Sequence, residues 1–185
     1  VYMSAAHIDS PRIDLKQHPL YEADGFGFFK THYYGGIKKY QWTTIPLAIH
    51  GVVAKKDGSV VEVVVGEDDN DPVFYITDLL PHLAGGQMAK TGGNIIAGEQ
   101  LNILIGSRPY SVKTGDAVKL NIMKILNDKY GITEGDFMSA ELEMVPANKA
   151  RDIGFDRSLI GAYGHDDRVC AYPTLTALME TENPK

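Results

Sequence analysis

The stretch Thr43 to Gly66 reads TTIPLAIHGVVAKKDGSVVEVVVG. Two runs rich in β-branched residues, Thr43 to Ala54 and Val60 to Gly66, flank Lys55-Lys56-Asp57-Gly58-Ser59. An Asp-Gly pair between such runs is a strong hairpin signal, because a tight hairpin turn needs residues that tolerate positive φ. Antiparallel sheet is therefore the starting expectation, and the neighbouring segments extend it. Upstream, Gly25 to Tyr40 (GFGFFKTHYYGGIKKY) is glycine-rich and aromatic, and it belongs to the same β-rich region. Downstream, Val73 to Ile76 reads as a further short strand and Asp78 to Leu83 as a helical turn. Gly85-Gly86 and Gly92-Gly93 bracket a mobile loop, and Ile103 to Ser107 returns to the sheet. Asp116 to Tyr130 (DAVKLNIMKILNDKY) is the clearest helix: Asp116 is placed to cap it, Val118, Ile122, Ile125 and Leu126 share a face, and Gly131 stops it. Ser139 to Val145 alternates Ala140, Leu142 and Met144 against Glu141 and Glu143, which predicts a strand ended by Pro146. After Gly164, Asp166-Asp167-Arg168 leads into a helix-like apolar run that Pro173 kinks or delays.

The 185 residues suffice for one ordinary domain or two small ones. Hydrophobic residues make up 44% and charged residues 23%, and no uninterrupted apolar run reaches membrane-spanning length, so a membrane partner is not expected. The single cysteine, Cys170, excludes an internal disulfide and a cysteine-rich zinc cluster. It sits in an apolar run and is expected to be buried rather than nucleophilic; its isolation fits a reducing compartment, and the cytoplasm is the expected location. A net charge of -6, with no basic block longer than a pair, argues against nucleic acid as a partner. Val1 to His7 (VYMSAAH) lacks an initiator methionine and reads as the last part of a strand, while Leu175 to Lys185 (LTALMETENPK) runs down a helix-like stretch. Both ends are expected to continue in a longer protein.

Two short motifs carry potential chemistry. In Ala6-His7-Ile8-Asp9-Ser10-Pro11 a histidine and an acid stand two apart, so on a strand they point to one side. A neutral imidazole binds zinc, and a nearby carboxylate orients it or a water; the spacing alone is weak and favours a surface turn opened by Ser10-Pro11. In Gly164-His165-Asp166-Asp167-Arg168 an acidic pair precedes a helix. It serves either as a cap that complements the helix dipole or as a carboxylate bridging two cations, and Asp166 is the bridging candidate. His18, His32 and His50 show no spacing for a second site and read as packing or surface residues.

His7-Ile8-Asp9-Ser10-Pro11-Arg12, Lys30-Thr31-His32-Tyr33-Tyr34-Gly35-Gly36, Ile76-Thr77-Asp78-Leu79-Leu80-Pro81-His82-Leu83 and Asp152 to Tyr172 (DIGFDRSLIGAYGHDDRVCAY) together resemble the aspartyl aminopeptidase family, in its bacterial, clostridial form. The resemblance covers essentially the whole chain. It implies an α/β fold: a partial zinc-peptidase α/β sandwich interrupted by a β-rich, barrel-like insertion. On that reading 1–13 is the first part of the catalytic domain, 14–151 is the insertion used for oligomerisation, and 152–185 returns to the catalytic domain. It implies a metalloaminopeptidase with two zinc ions per full-length subunit, other divalent metals being possible. The substrates would be peptides with acidic N-terminal residues, and the enzyme a homo-oligomer built from dimers to a dodecamer. By position, His7 matches a zinc-binding histidine, Asp9 the catalytic-site acid that supports it and Asp166 the bridging aspartate, with a cis peptide between Asp166 and Asp167.

The departures are also informative. The family's catalytic glutamate and remaining metal ligands lie downstream of the bridging acid, and too few residues follow Arg168 before Lys185 to hold them. Glu180 and Glu182 read as solvated helix-end residues. Where the family places a histidine reaching a neighbouring subunit's substrate, this chain has Gly86, with His82 nearby but not matching. An isolated chain is therefore expected to be inactive, and its alternative role is that of a stable oligomerisation module, roughly Asp14 to Arg151. A related glutamyl aminopeptidase is the less favoured assignment, because the Lys30 to Gly36 and Asp152 to Tyr163 blocks are not expected there.

Overall fold

Alternating and β-branched runs supply most of the strands. In a computed structural model describing residues 3–111 and 115–182, β1 (Arg12–Ala23), β2 (Phe26–Tyr34), β3 (Leu47–Ala54), β4 (Val60–Val65), β5 (Ile103–Gly106) and β6 (Ala140–Pro146) make one sheet, in the order β4-β3-β6-β1-β2-β5. Every strand pair in it is antiparallel. The β3–β4 hairpin closes as its Asp-Gly signal predicts, with the Lys55 amide donating to the Ser59 carbonyl at 2.8 Å and the Gly58 amide to the Lys55 carbonyl at 3.0 Å.

β1 was not foreseen, and Pro19 explains why. A proline interrupts the donor ladder and the alternation, so the run does not read as a strand. Here Pro19 is fully buried, and the pairing of β1 with β2 shifts register between Leu15 and Leu20, which accommodates it. The turn into β2 is Asp24-Gly25, at φ 51° and 78°, a second instance of the Asp-Gly signature.

A short segment bridges β5, one edge of the sheet, to β3, the strand next to the other edge. Phe74 exchanges amide hydrogen bonds with Leu47 of β3 at 2.8 and 2.9 Å, and the Leu104 amide of β5 donates to the Tyr75 carbonyl at 2.8 Å. The expected strand at Val73 to Ile76 is thus reduced to isolated bridges that nonetheless join β3 to β5. The inner face carries Ile13, Val53 and Met144, all at 0% exposure, with Ile49, Val63 and Leu142 beside them. The outer face carries the alternate residues of the same strands: His50 pairs across from Glu143, and Glu143 from Asp14.

Helix α1 (Gly85–Met88) is a single turn that takes in Gly85 and Gly86, where a loop was expected, while Asp78 to Leu83 forms only a turn closed by the Leu83 amide on the Leu80 carbonyl. Helix α2 (Ala117–Tyr130) ends as predicted, with Gly131 at φ 62° and its amide on the Asn127 carbonyl. Its start differs. Asp116 makes no side-chain cap; instead Glu22 of β1 reaches across, its Oε2 accepting the amides of Val118 and Lys119 at 2.8 and 3.0 Å. A carboxylate at these otherwise unpaired amides also complements the positive end of the helix dipole. A 3-10 turn at Glu134–Ser139 then seats Phe137 edge-on against Phe29, with ring centroids 5.9 Å apart.

The elements so far form one compact unit, residues 12–147. The second unit comprises 1–11 and 148–185. It contains the hairpin of β7 (Arg151–Ile153) and β8 (Leu159–Gly161), followed by helix α3 (His165–Glu180), which includes Pro173. The strand expected before His7 is absent: 3–11 carries no regular element, because a strand exists only through its partners and none of the described residues pairs with it. Among the described residues no helix is long and apolar enough to cross a membrane.

Replacing Glu22 with Ala should destabilise the chain by about 1 kcal/mol in denaturant unfolding, whereas Asp116→Ala should change it by less than about 0.5 kcal/mol; equal effects would mean that Asp116 is the cap. Three acids, Asp57, Asp71 and Asp136, are held below their ordinary range and should contribute to the acid limb of stability. Thr133, through its hydroxyl and then its amide, holds the Asp136 carboxyl below its ordinary range, and the Gly66 amide does the same for Asp71. Their contribution is complete above the unfolded carboxylate range and is lost as pH falls through the lower folded value. Asp136→Asn should therefore lower stability at neutral pH and flatten its decline below about pH 4; an unchanged acid limb would contradict this.

Candidate metal centre

His7 and Asp9 lie far in sequence from Asp167, yet one ligand atom from each falls within 4.8 Å of the others. The His7 Nδ1 is paired with Asp167 Oδ2. His7 and Asp9 are exposed and Asp167 is buried at 6%, so the group opens to solvent on one side and is backed by protein on the other. Among the described residues this is the one group of three or more histidine, cysteine or acidic side chains so placed.

The backbone explains the juxtaposition. The Ser10 hydroxyl donates to the Asp166 carbonyl at 2.9 Å, and the Tyr163 hydroxyl donates to the Pro11 carbonyl at 2.7 Å, so both Ser10 and Pro11 are clipped to residues at the start of α3 or just before it. Arg168 adds a third tie, with Nη1 donating to the Gly164 carbonyl at 3.1 Å and lying 3.5 Å from Ser10 Oγ. Gly164 is required at that point: its φ is 89°, and a Cβ would lie 2.1 Å from Arg168 Nη1. The His165 ring is occupied elsewhere, its Nε2 bonded to the Ile160 carbonyl at 3.0 Å.

The predicted residues are not all placed alike. His7 and Asp9 come together; the acid that joins them is Asp167, while Asp166 lies outside this group of ligand atoms. Asp166 instead contributes its carbonyl to Ser10 and a side-chain hydrogen bond to Asp167. The peptide between the two aspartates is cis, as the resemblance implies. Nothing in an Asp-Asp pair tells from sequence which carboxylate faces a histidine at the far end of the chain. Ser10 and Arg168 were legible only as motif neighbours, because their role rests on long-range bonds. Cys170 departs from expectation: it is exposed, as are Val169, Tyr172 and Leu175 on the same helix, no described residue covering them.

Electrostatically the group suits a cation. The hydrogen bond with Asp166 holds the Asp167 carboxyl above its ordinary range, burial and the Asp166 charge add to this, and His7 acts in the opposite direction. Two carboxyls crowded beside an imidazole are a condition that a divalent cation relieves, by favouring the ionised acids and the neutral ring. One imidazole and two carboxylates are also a donor set that zinc accepts. The residues present therefore fit the metal.

Comparison with known proteins agrees. The profile of the aminopeptidase I zinc metalloprotease family, M18, matches residues 1–185. A probable M18 family aminopeptidase 1 of Clostridium acetobutylicum is 63% identical over 183 residues, and one of Thermotoga maritima is 55% identical over 180. Each alignment covers 97% of this chain but 39% of the relative, so the chain spans about two fifths of the length of the curated relatives it matches. The crystal structure of the Thermotoga maritima M18 aminopeptidase superposes with a TM-score of 0.89 at 54% identity, covering 97% of this chain and 39% of that one. That of aminopeptidase I from Clostridium acetobutylicum gives 0.86 at 57%, covering 97% and 40%. With the mixed α/β fold, its curled antiparallel sheet and the whole of the sequence matched, this chain belongs to the M18 family of zinc metalloproteases.

Proposed function

We propose that the whole protein is a zinc-dependent aminopeptidase that removes N-terminal residues, acidic ones by preference, from peptides in the cytoplasm, and that this chain supplies part of its metal centre. The observation that carries the reading is the convergence of His7, Asp9 and Asp167 within 4.8 Å, in a chain matched by the M18 profile from end to end. The acidic preference rests on the resemblance of the four sequence motifs, and an exposed unpaired Cys170 is compatible with a reducing compartment.

His7 offers a ring nitrogen, and Asp9 and Asp167 offer carboxylate oxygens. Asp166, hydrogen-bonded to Asp167, adds the negative charge that a centre of two cations needs. Zinc held there would polarise the scissile carbonyl and acidify a water. The clips from Ser10, Tyr163 and Arg168 keep the histidine segment against the aspartates, so the donors are ordered before a metal arrives. Amide hydrolysis also needs a proton shuttle, and among the described residues no glutamate joins the group. The chain alone should therefore bind zinc weakly and turn over nothing.

A second role is favoured by the unit 12–147, which has its own core. One edge of its sheet is β4, whose Val60 and Val64 are 64% and 39% exposed. An unpaired apolar edge is a pairing surface, so this unit serves homo-oligomer assembly.

In the whole protein, Asp9→Asn should lower turnover of an aspartyl or glutamyl p-nitroanilide about 10- to 100-fold, and His7→Ala should lower it further, with loss of zinc by elemental analysis. Full zinc content and full activity in His7→Ala would refute the assignment. By sedimentation, the 185-residue chain should self-associate, and Val64→Lys should shift it towards monomer; a chain that is monomeric at every concentration would contradict the assembly role.

A further inference from the structure

Helix α2 presents an apolar face that the described residues cover only in part. Val118, Ile122, Ile125 and Leu126 share one side, yet only Val118 is buried, and Ile125 is 51% exposed. The reason is how the helix is held. At its start it lies hard against the sheet: Gly106 is at a point where a Cβ would stand 2.8 Å from Ile122 Cδ1, and Glu22 grips the first amides. At its end Leu126 and Tyr130 pack against the core only in part, and Lys55 adds a polar tie, its Nζ donating to the Tyr130 carbonyl at 3.1 Å. Between the last two turns and the inner sheet face lies a cavity of about 610 Å³.

This cavity falls within the roughly 300 to 1,000 Å³ typical of small-molecule sites. Its floor is the sheet, with Ile49, Val63 and Leu142; Ile122 and Leu126 of the helix form its roof, and the segment 72–75 with β5 closes a side. It is bounded on three sides, which suits a small molecule better than a folded partner. Among the lining residues the one charged side chain is Lys129, beside Tyr130, its ammonium 5.0 Å from that ring. Lys129 is hydrogen-bonded to the Tyr130 side chain and feels the charge of Asp71, an acid itself engaged by the amides of Gly66 and Asp68. The rim therefore offers one cation above an apolar chamber.

We propose that this cavity binds an amphiphile with a single apolar chain and an anionic head, a fatty-acid-like carboxylate, with the chain against Ile122 and Leu126 and the head at Lys129. The site lies within the unit 12–147 and is independent of the metal centre. Titrating the 185-residue chain with dodecanoate by calorimetry should give saturable binding of one molecule per chain. Lys129→Gln should weaken it about tenfold, as loss of one charge-assisted contact implies, while leaving dodecanol binding unchanged. Leu126→Trp, which fills the chamber from a part-exposed position, should abolish both. Circular dichroism melts establish that each variant is folded, with Leu126→Phe replacing Leu126→Trp and Lys129→Met replacing Lys129→Gln where the first is not. Absence of saturable binding by the folded chain would overturn the proposal. So would dodecanoate binding indifferent to both substitutions, or sedimentation showing that a second copy of the chain occupies this face and that dodecanoate does not compete with it.

Discussion

The pairing of β1 with β6 is the constraint on which the rest depends. Ile13 lies opposite Met144 and Asp14 opposite Glu143, so the unit 12–147 begins and ends on neighbouring antiparallel strands. Arg12 reinforces the seam, its Nε 2.9 Å from both Asp14 Oδ1 and Glu143 Oε1. A long excursion of chain thus returns to where it left. The same seam places Ile13 and Met144 at the centre of the core, fully buried. Losing it would cost hydrophobic burial as well as geometry, since Met144→Ala alone is expected to cost about 2 to 5 kcal/mol.

Curling of the sheet is the second consequence. Antiparallel strands twist, and a sheet of this width leaves two edges with unpaired amides. One edge, β5, is satisfied by the 74–75 segment that bridges it to β3, while β4 lies beyond the suture and stays open. That asymmetry separates an enclosed interior from an exposed edge. The interior holds the core and the chamber under α2, and the open edge is where a second copy of the chain could add strands.

Much of the fold could be read from local chemistry. The alternation of Leu142 and Met144 with Glu141 and Glu143, the Asp57-Gly58 turn and the Gly131 stop each depend on neighbours in sequence, and each is found. What escaped depended on distant neighbours. β1 was hidden by Pro19, whose cost is absorbed by a register shift against β2. The cap of α2 came from Glu22, far upstream, in preference to the adjacent Asp116. In the candidate site, His7 and Asp9 were legible from the His-x-Asp spacing and the resemblance. That Asp167 is the aspartate facing them was decided by the ties among Ser10, Asp166, Gly164 and Arg168, which no local pattern encodes.

If His7, Asp9 and Asp167 form one cation-binding group, adding manganese to the 185-residue chain should broaden backbone amide resonances selectively. At low manganese the broadening should be confined to residues near His7 and Asp9 and near Asp167. Broadening that appears first at the exposed acids of the loop at Asp68 and Asp69, with the amides around His7 and Asp167 unaffected, would contradict it.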